Sequence, residues 1–159
     1  MAKSTEKLSR FTRVGLDLAK SAFQVHRVDA KGEAVVVGKL RRGGVLEFFG
    51  RLAPCVVAME ACASAHHWGR EITALGHEVK LIPPAHVKPY IWRNETDAAD
   101  AAAICEAALR PERRFVPLRG VDNQAELMRH RVREQLAGQR TSLLNGLCGH
   151  LSEIGVIAP

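Results

Sequence analysis

The chain opens its folded part on Val14-Gly15-Leu16-Asp17-Leu18, an apolar run broken by a single acid. The segment continues through Ala22-Phe23-Gln24-Val25-His26-Arg27-Val28, Asp29-Ala30-Lys31-Gly32 is a polar turn, and Ala34 to Leu40 returns through Val35-Val36-Val37. This pattern predicts a three-strand meander whose second and third strands form a hairpin around Lys31-Gly32. Gly43-Gly44 breaks the sheet, and Val45, Leu46, Phe48, Phe49 and Leu52 at helical spacing predict a short helix that ends near Arg51 and is closed by Pro54. Cys55-Val56-Val57-Ala58-Met59 is continuously apolar, as a central parallel strand buried on both faces would be, and Glu60 ends it. Residues 64–75 combine an N-capping serine with Trp68, Ile72 and Leu75 on one helical face and Gly76 as the stop. Glu78 to Ile82 is a further strand, ended by Pro83-Pro84. Three strands, helix, strand, helix, strand is the order of an α/β domain, antiparallel on one side of the sheet and parallel on the other.

Beyond a short segment from Val87 to Trp92, Thr96-Asp97 caps an alanine-rich helix, Ala98 to Leu109, stopped by Arg110-Pro111. A loop with Arg113, Arg114 and Arg119 follows. From Asp122 to Ile154, the residues Met128, Val132, Leu136, Leu143, Leu147, Leu151 and Ile154 recur every three, four or seven positions, which predicts one amphipathic helix about 45 to 50 Å long. A domain of about 110 residues is only some 30 Å across, so part of this stripe overhangs and needs a partner. A homodimer through the helix is the expected remedy, with Arg129, Arg133 and Arg140 on its outer face for nucleic-acid phosphate. Gly138, Gly146 and Gly149 lower the helix propensity and make a break near 146–149 plausible. The organisation read from the sequence is a basic leader (1–13), an α/β domain (14–110), and an arginine-containing linker with the long helix (111–159).

Composition narrows the classes. With 47% hydrophobic and 25% charged residues over 159 positions, the chain carries a core and is not a disordered tail. No apolar run approaches the roughly 18 to 20 residues of a membrane span, and the polar start MAKSTEKLSRFTR is not a secretory signal, so a cytoplasmic protein is expected. Cys55, Cys62, Cys105 and Cys148 have neither disulfide-framework nor zinc spacing, and the seven histidines form no HExxH-like motif. Reduced thiols and surface or locally bonded histidines are the expectation. The net charge is +6, with +3 on residues 1–13, +3 on residues 110–159, and eleven basic against eleven acidic groups between them. A polyanionic partner is plausible, and cations bound to the central acids would make the middle positive as well.

Those acids are the candidate chemistry. Asp17 is a lone carboxylate in an apolar strand, costly to desolvate unless paired, and Glu60 ends the most buried strand. Both fall where a sheet hands over to solvent, the usual ligand position in α/β folds. Asp97 and Asp100, three apart on a helix, share a face about 5 to 6 Å apart at Cβ and repel each other. Four acids from two strands and one helix suit hard divalent ions, which in pairs clamp the attacking and leaving oxygens of a phosphodiester. Each also has a plainer reading: Asp97 and Asp100 as acids favoured by a helix N-terminus, Glu60 as a surface acid before a helix.

Val14-Gly15-Leu16-Asp17-Leu18-Ala19-Lys20, Met59-Glu60-Ala61-Cys62 and Thr96-Asp97-Ala98-Ala99-Asp100-Ala101 together resemble the amino-terminal half of the DEDD-type insertion-sequence transposases, the RNA-guided bridge recombinases, over about residues 12–157. The resemblance implies an RNase H-like, RuvC-like fold: a mixed α/β sheet flanked by helices and followed by the long helix. It implies Asp17, Glu60, Asp97 and Asp100 as the catalytic acids that bind magnesium, with manganese as substitute, and DNA and a guide RNA as partners. The long helix looks like the family's dimerising, nucleic-acid-contacting connection to a second domain. Two departures stand out. Glu95 replaces the lysine frequent before the third motif, and the family's serine-bearing helical second half has no counterpart, so this chain alone is expected not to recombine DNA.

Two other classes share some features. Actin-like and sugar-kinase ATPases also begin with a meander bearing an aspartate, but they need a glycine-containing phosphate loop directly after it, and Leu18-Ala19-Lys20-Ser21 has none. A non-catalytic nucleic-acid-binding or dimerisation fragment would use the helix arginines and leave the acids vestigial.

Overall fold

The computed structural model describes residues 11–29, 34–87, 97–108 and 114–157, the side chains of 11, 12, 34–37 and 97–99 excepted. The leader to Arg10, the Lys31-Gly32 turn, the segment to Trp92 after Val87, Glu95, the capping Thr96 and the Arg110-Pro111 stop lie outside the described residues. The chain divides into two compact units, Met1–Leu118 and Arg119–Pro159.

In the first unit, β1 (Phe11–Asp17), β2 (Ala22–Asp29) and β3 (Ala34–Arg41) form the expected meander. A 3-10 turn, Arg42–Gly44, leads into helix α1 (Val45–Gly50). Strand β4 (Val56–Glu60), helix α2 (Ala65–Ala74) and strand β5 (Glu78–Ile82) follow, then a one-turn helix α3 (Pro84–Val87), with proline at the first helical position where its missing N–H costs nothing. Helix α4 runs Asp97–Ala107. The sheet order is β3-β2-β1-β4-β5. β2 is antiparallel to both neighbours, whereas β4 pairs parallel with β1 and with β5. A five-stranded sheet in that order, with only its second strand reversed and helices on both faces, is the RNase H-like, RuvC-like arrangement.

Strand alternation sends side chains into two cores. On one face Val14, Leu16, Phe23, Val25, Val57 and Met59 meet Val45 and Phe49 of α1 and Trp68 and Ile72 of α2. Each such side chain is worth about 1.5 to 3 kcal/mol of burial. On the other face Ala58 and Ile82 meet Val87, Ala103, Ile104 and Ala107. Gly76 ends α2 with φ +92°, the left-handed conformation glycine adopts freely. Ser64 occupies the N-cap of α2 but makes no side-chain capping bond, because its backbone is already helical (φ −101°, ψ −4°). Strand-like pairing also continues past α4: Val116 bridges to Leu81 at the β5 edge, an element the sequence pattern does not announce.

The second unit is dominated by helix α5 (Val121–Glu153), about 50 Å at 1.5 Å per residue. It is unbroken through Gly138, Gly146 and Gly149. None of its residues is buried, and Met128, Val132, Leu136, Leu143 and Leu147 are 52 to 75% exposed.

Candidate active site

Asp17 is the last residue of β1 and Glu60 the last of β4. The two strands are parallel neighbours with Leu16 opposite Met59, so the next residue on each stands beside the other. Leu16 and Met59 point into the core under α1 and α2. Alternation therefore turns Asp17 and Glu60 to the opposite face, that of Gly15 and Ala58, on which α4 packs. Asp100 lies on α4, three and four residues before the buried Ala103 and Ile104, on the flank of the helix turned towards the sheet. Asp17, Glu60 and Asp100 are each partly buried. Asp97 is the first residue of α4, and its side chain lies outside the described set. Among the described residues, no three His, Cys, Asp or Glu side chains form a group that could hold a metal ion.

The close seat of α4 on β1 depends on Gly15. A Cβ there would lie 2.2 Å from the Ala101 carbonyl oxygen and 2.9 Å from Cys105 Cβ, well inside van der Waals contact. The small side chains of Ala101, Ala103 and Ala107, all buried, complete the close approach. Burial raises the Cys105 thiol pKa, an effect opposed in part by the positive Arg13.

Cross-strand register shows a row that motif reading does not reveal. Gln24 of β2, 5% exposed, is opposite Asp17, and Lys39 of β3 is opposite Gln24. Glu60, Asp17, Gln24 and Lys39 thus run across β4, β1, β2 and β3 on one face. Gln24 falls between Phe23 and Val25, which enter the core under α1 and α2, so it faces the opposite side, and giving it a neighbour there requires the register.

On α5, Arg129, Arg133 and Arg140 are exposed. Arg129 pairs with Glu126 at 2.5 Å. Arg129 and Arg133 line a shallow apolar surface together with Ala125, Met128, Val132 and Leu136, so they border the apolar stripe. On a helix, residues one position on from Met128 and Val132 are rotated by about 100°, which sets them at the side of the stripe.

A family model described as "Transposase", the DEDD transposases of the IS110 group of insertion sequences, matches residues 14–156. This chain belongs to that family. It is 52% identical over 147 residues to a Pseudomonas aeruginosa protein described as "Probable family 20 transposase", an alignment covering 92% of this chain and 44% of the relative. It is 40% identical over 148 residues to the transposase for insertion sequence element IS1328 of Yersinia enterocolitica, covering 93% of this chain and 44% of that protein. This transposase chain therefore spans less than half the length of the curated relatives it matches. Among solved structures, T. thermophilus RuvC in complex with a Holliday junction substrate superposes with a TM-score of 0.44 and 14% identity, over 60% of this chain and 90% of RuvC.

Proposed function

We propose that this chain is the acid-bearing domain of a DNA transposase that cleaves and transfers phosphodiester strands, with Asp17, Glu60, Asp97 and Asp100 holding Mg2+ or Mn2+. The observation that carries the reading is the placement of Asp17 and Glu60 side by side at the ends of parallel β1 and β4, on the face covered by the helix that bears Asp97 and Asp100. The donor set fits the ion, since all four groups are carboxylates, the hard oxygen ligands magnesium takes. The Gly15 contact fits it too, because it is what admits α4 closely enough to bring Asp100 towards β1. A bound divalent pair would supply Lewis-acid stabilisation of the attacking and leaving oxygens.

The chain's own contribution is position. Two rigid strand ends fix Asp17 and Glu60, and one helical turn sets the spacing of Asp97 and Asp100. Four like charges in a partly buried site repel one another until a cation neutralises them. The DNA substrate is selected by a guide RNA, and the nucleophilic serine belongs to a second domain. The whole transposase works in the cytoplasm as a homodimer or higher oligomer through α5, with Arg129, Arg133 and Arg140 on nucleic-acid phosphate.

Thermal unfolding with and without metal tests the site. At ten times the dissociation constant, linkage contributes about 1.4 kcal/mol, so Mg2+ or Mn2+ should raise the Tm by roughly 3 to 6 °C, and Asp17→Asn should abolish the rise. An unshifted Tm at 10-millimolar-scale metal in the parent chain, on the order of ten times a millimolar affinity, sinks the metal-site reading. A second reading, a non-catalytic nucleic-acid-binding or dimerisation fragment, draws on the exposed stripe of α5. It predicts nucleic-acid binding that persists while neither metal nor Asp17→Asn changes the melting.

A further inference from the structure

We infer that Lys39 and Arg41, on the edge strand β3, form a phosphate-binding rim that leads a nucleic-acid strand onto the acid face of the sheet. The inference rests on the strand-transfer reading above and adds to it a substrate path on the first unit.

The register places them. Lys39 is opposite Gln24, which is opposite Asp17, and Arg41 is opposite Ala22. Lys39 and Arg41 are two apart on one strand, so they share a face, and it is the face of Asp17 and Glu60. Helix α4 packs on β1 and β2, whereas Lys39 and Arg41 are both exposed at the sheet edge beyond it. At 4.7 to 4.9 Å per strand, Lys39 stands about 10 Å from Asp17 along the row. That is about three nucleotides of one strand at 3.4 Å per charge.

A strand whose phosphate lies at the acids therefore passes its flanking phosphates over the two cations. Gln24 lies between them, too buried to serve as a phosphate contact and suited to space the carboxylate end of the row from the ammonium end. Lys20 lies in the loop after Asp17 and is exposed; that loop is tied to the end of β3 by the Arg42 N–H donating to the Ser21 carbonyl at 3.3 Å, so a third cation borders the same path. Charged residues on an edge strand also discourage edge-to-edge pairing, which would explain Lys39 and Arg41 without any ligand. Binding measurements separate the two.

The test is fluorescence anisotropy of the full chain with single-stranded DNA, duplex DNA and RNA of one sequence, titrated across salt. Lys39→Ala with Arg41→Ala should reduce the slope of log affinity against log salt by about 1.4 on a single strand or about 1.8 on a duplex, the value for two lost phosphate contacts. Lys39→Arg should retain the slope. Arg51→Ala, which removes a charge from α1 on the opposite layer, should change it less than Lys39→Ala does. The ligand with the larger loss, DNA or RNA, identifies the strand that uses the rim. Parent-like affinity and slope for all three ligands in the double variant, with an unchanged circular dichroism spectrum, overturns the rim. Metal-induced stabilisation in that variant, read alongside Asp17→Asn, reports on the acid site separately, so the two ideas fail independently.

Discussion

His77 is 3% exposed, yet both of its ring nitrogens are used. The Cys55 backbone N–H donates to Nδ1 at 3.2 Å, so the proton resides on Nε2, which donates to the Phe49 carbonyl oxygen at 3.0 Å. One neutral imidazole thus ties the end of α1 to the start of β4, and its ring packs edge-on against Phe49. The sequence pattern led to surface or locally bonded histidines, and His77 departs from this: it is buried, and its partners lie 22 and 28 residues away, beyond the reach of a local pattern. The same burial pushes the Cys55 thiol up to about 11. Thiolate is the reactive form, so at pH 8 only about a thousandth of Cys55 is reactive. Iodoacetamide on the native chain should label the partly exposed Cys62 and Cys148 first, with Cys55 modified only in denaturant, as peptide mass mapping will show. Equal native labelling of Cys55 would mean that the α1–β4 junction opens freely.

At the scale of elements, hydrophobic periodicity carried most of the fold. The polar turn after β2 and the unbroken apolar run of β4 placed both strands to within a residue, and β5 was legible because prolines close it. Two boundary shifts matter. β4 begins at Val56, one residue after the expected Cys55, and ends on Glu60 as expected, which fixes the face of that acid. β1 reaches back to Phe11, where the charged Arg13 hides a strand from a hydrophobicity reading. The packing of α4 was legible only in part: its alanines implied close approach, but the partner at closest approach, Gly15, looks like any glycine in a motif until the register is known. Gly15→Ala drives a Cβ against backbone at Ala101, which cannot rotate away. The expected cost is about 1 to 3 kcal/mol by urea unfolding, together with a weakened metal-induced rise in Tm as α4 lifts from Asp17. A variant as stable as the parent would show that α4 is seated less closely than this contact requires.

At the scale of the whole molecule, the exposed stripe on α5 is the feature that calls for a partner. Met128, Val132, Leu136, Leu143 and Leu147 lie along one side of a helix that buries none of its residues. Covering each of them is worth about 1.5 to 3 kcal/mol, so a patch this long in water favours association over remaining bare. A second copy of α5 supplies the same stripe in return, and this makes a self-complementary two-fold contact the simplest cover. Arg129 and Arg133 border the stripe, so in such a dimer they lie at its rim, where salt screens any phosphate contact they make. Sedimentation equilibrium should therefore show a dimer whose affinity depends only weakly on salt, because the leucines dominate it. Leu143→Glu with Leu147→Glu should convert that dimer to monomer while the first unit keeps its melting transition. A monomer in the parent chain at concentrations on the order of 100 micromolar, where an interface of even modest affinity would be occupied, removes the dimer and returns the stripe to a partner of other chemistry.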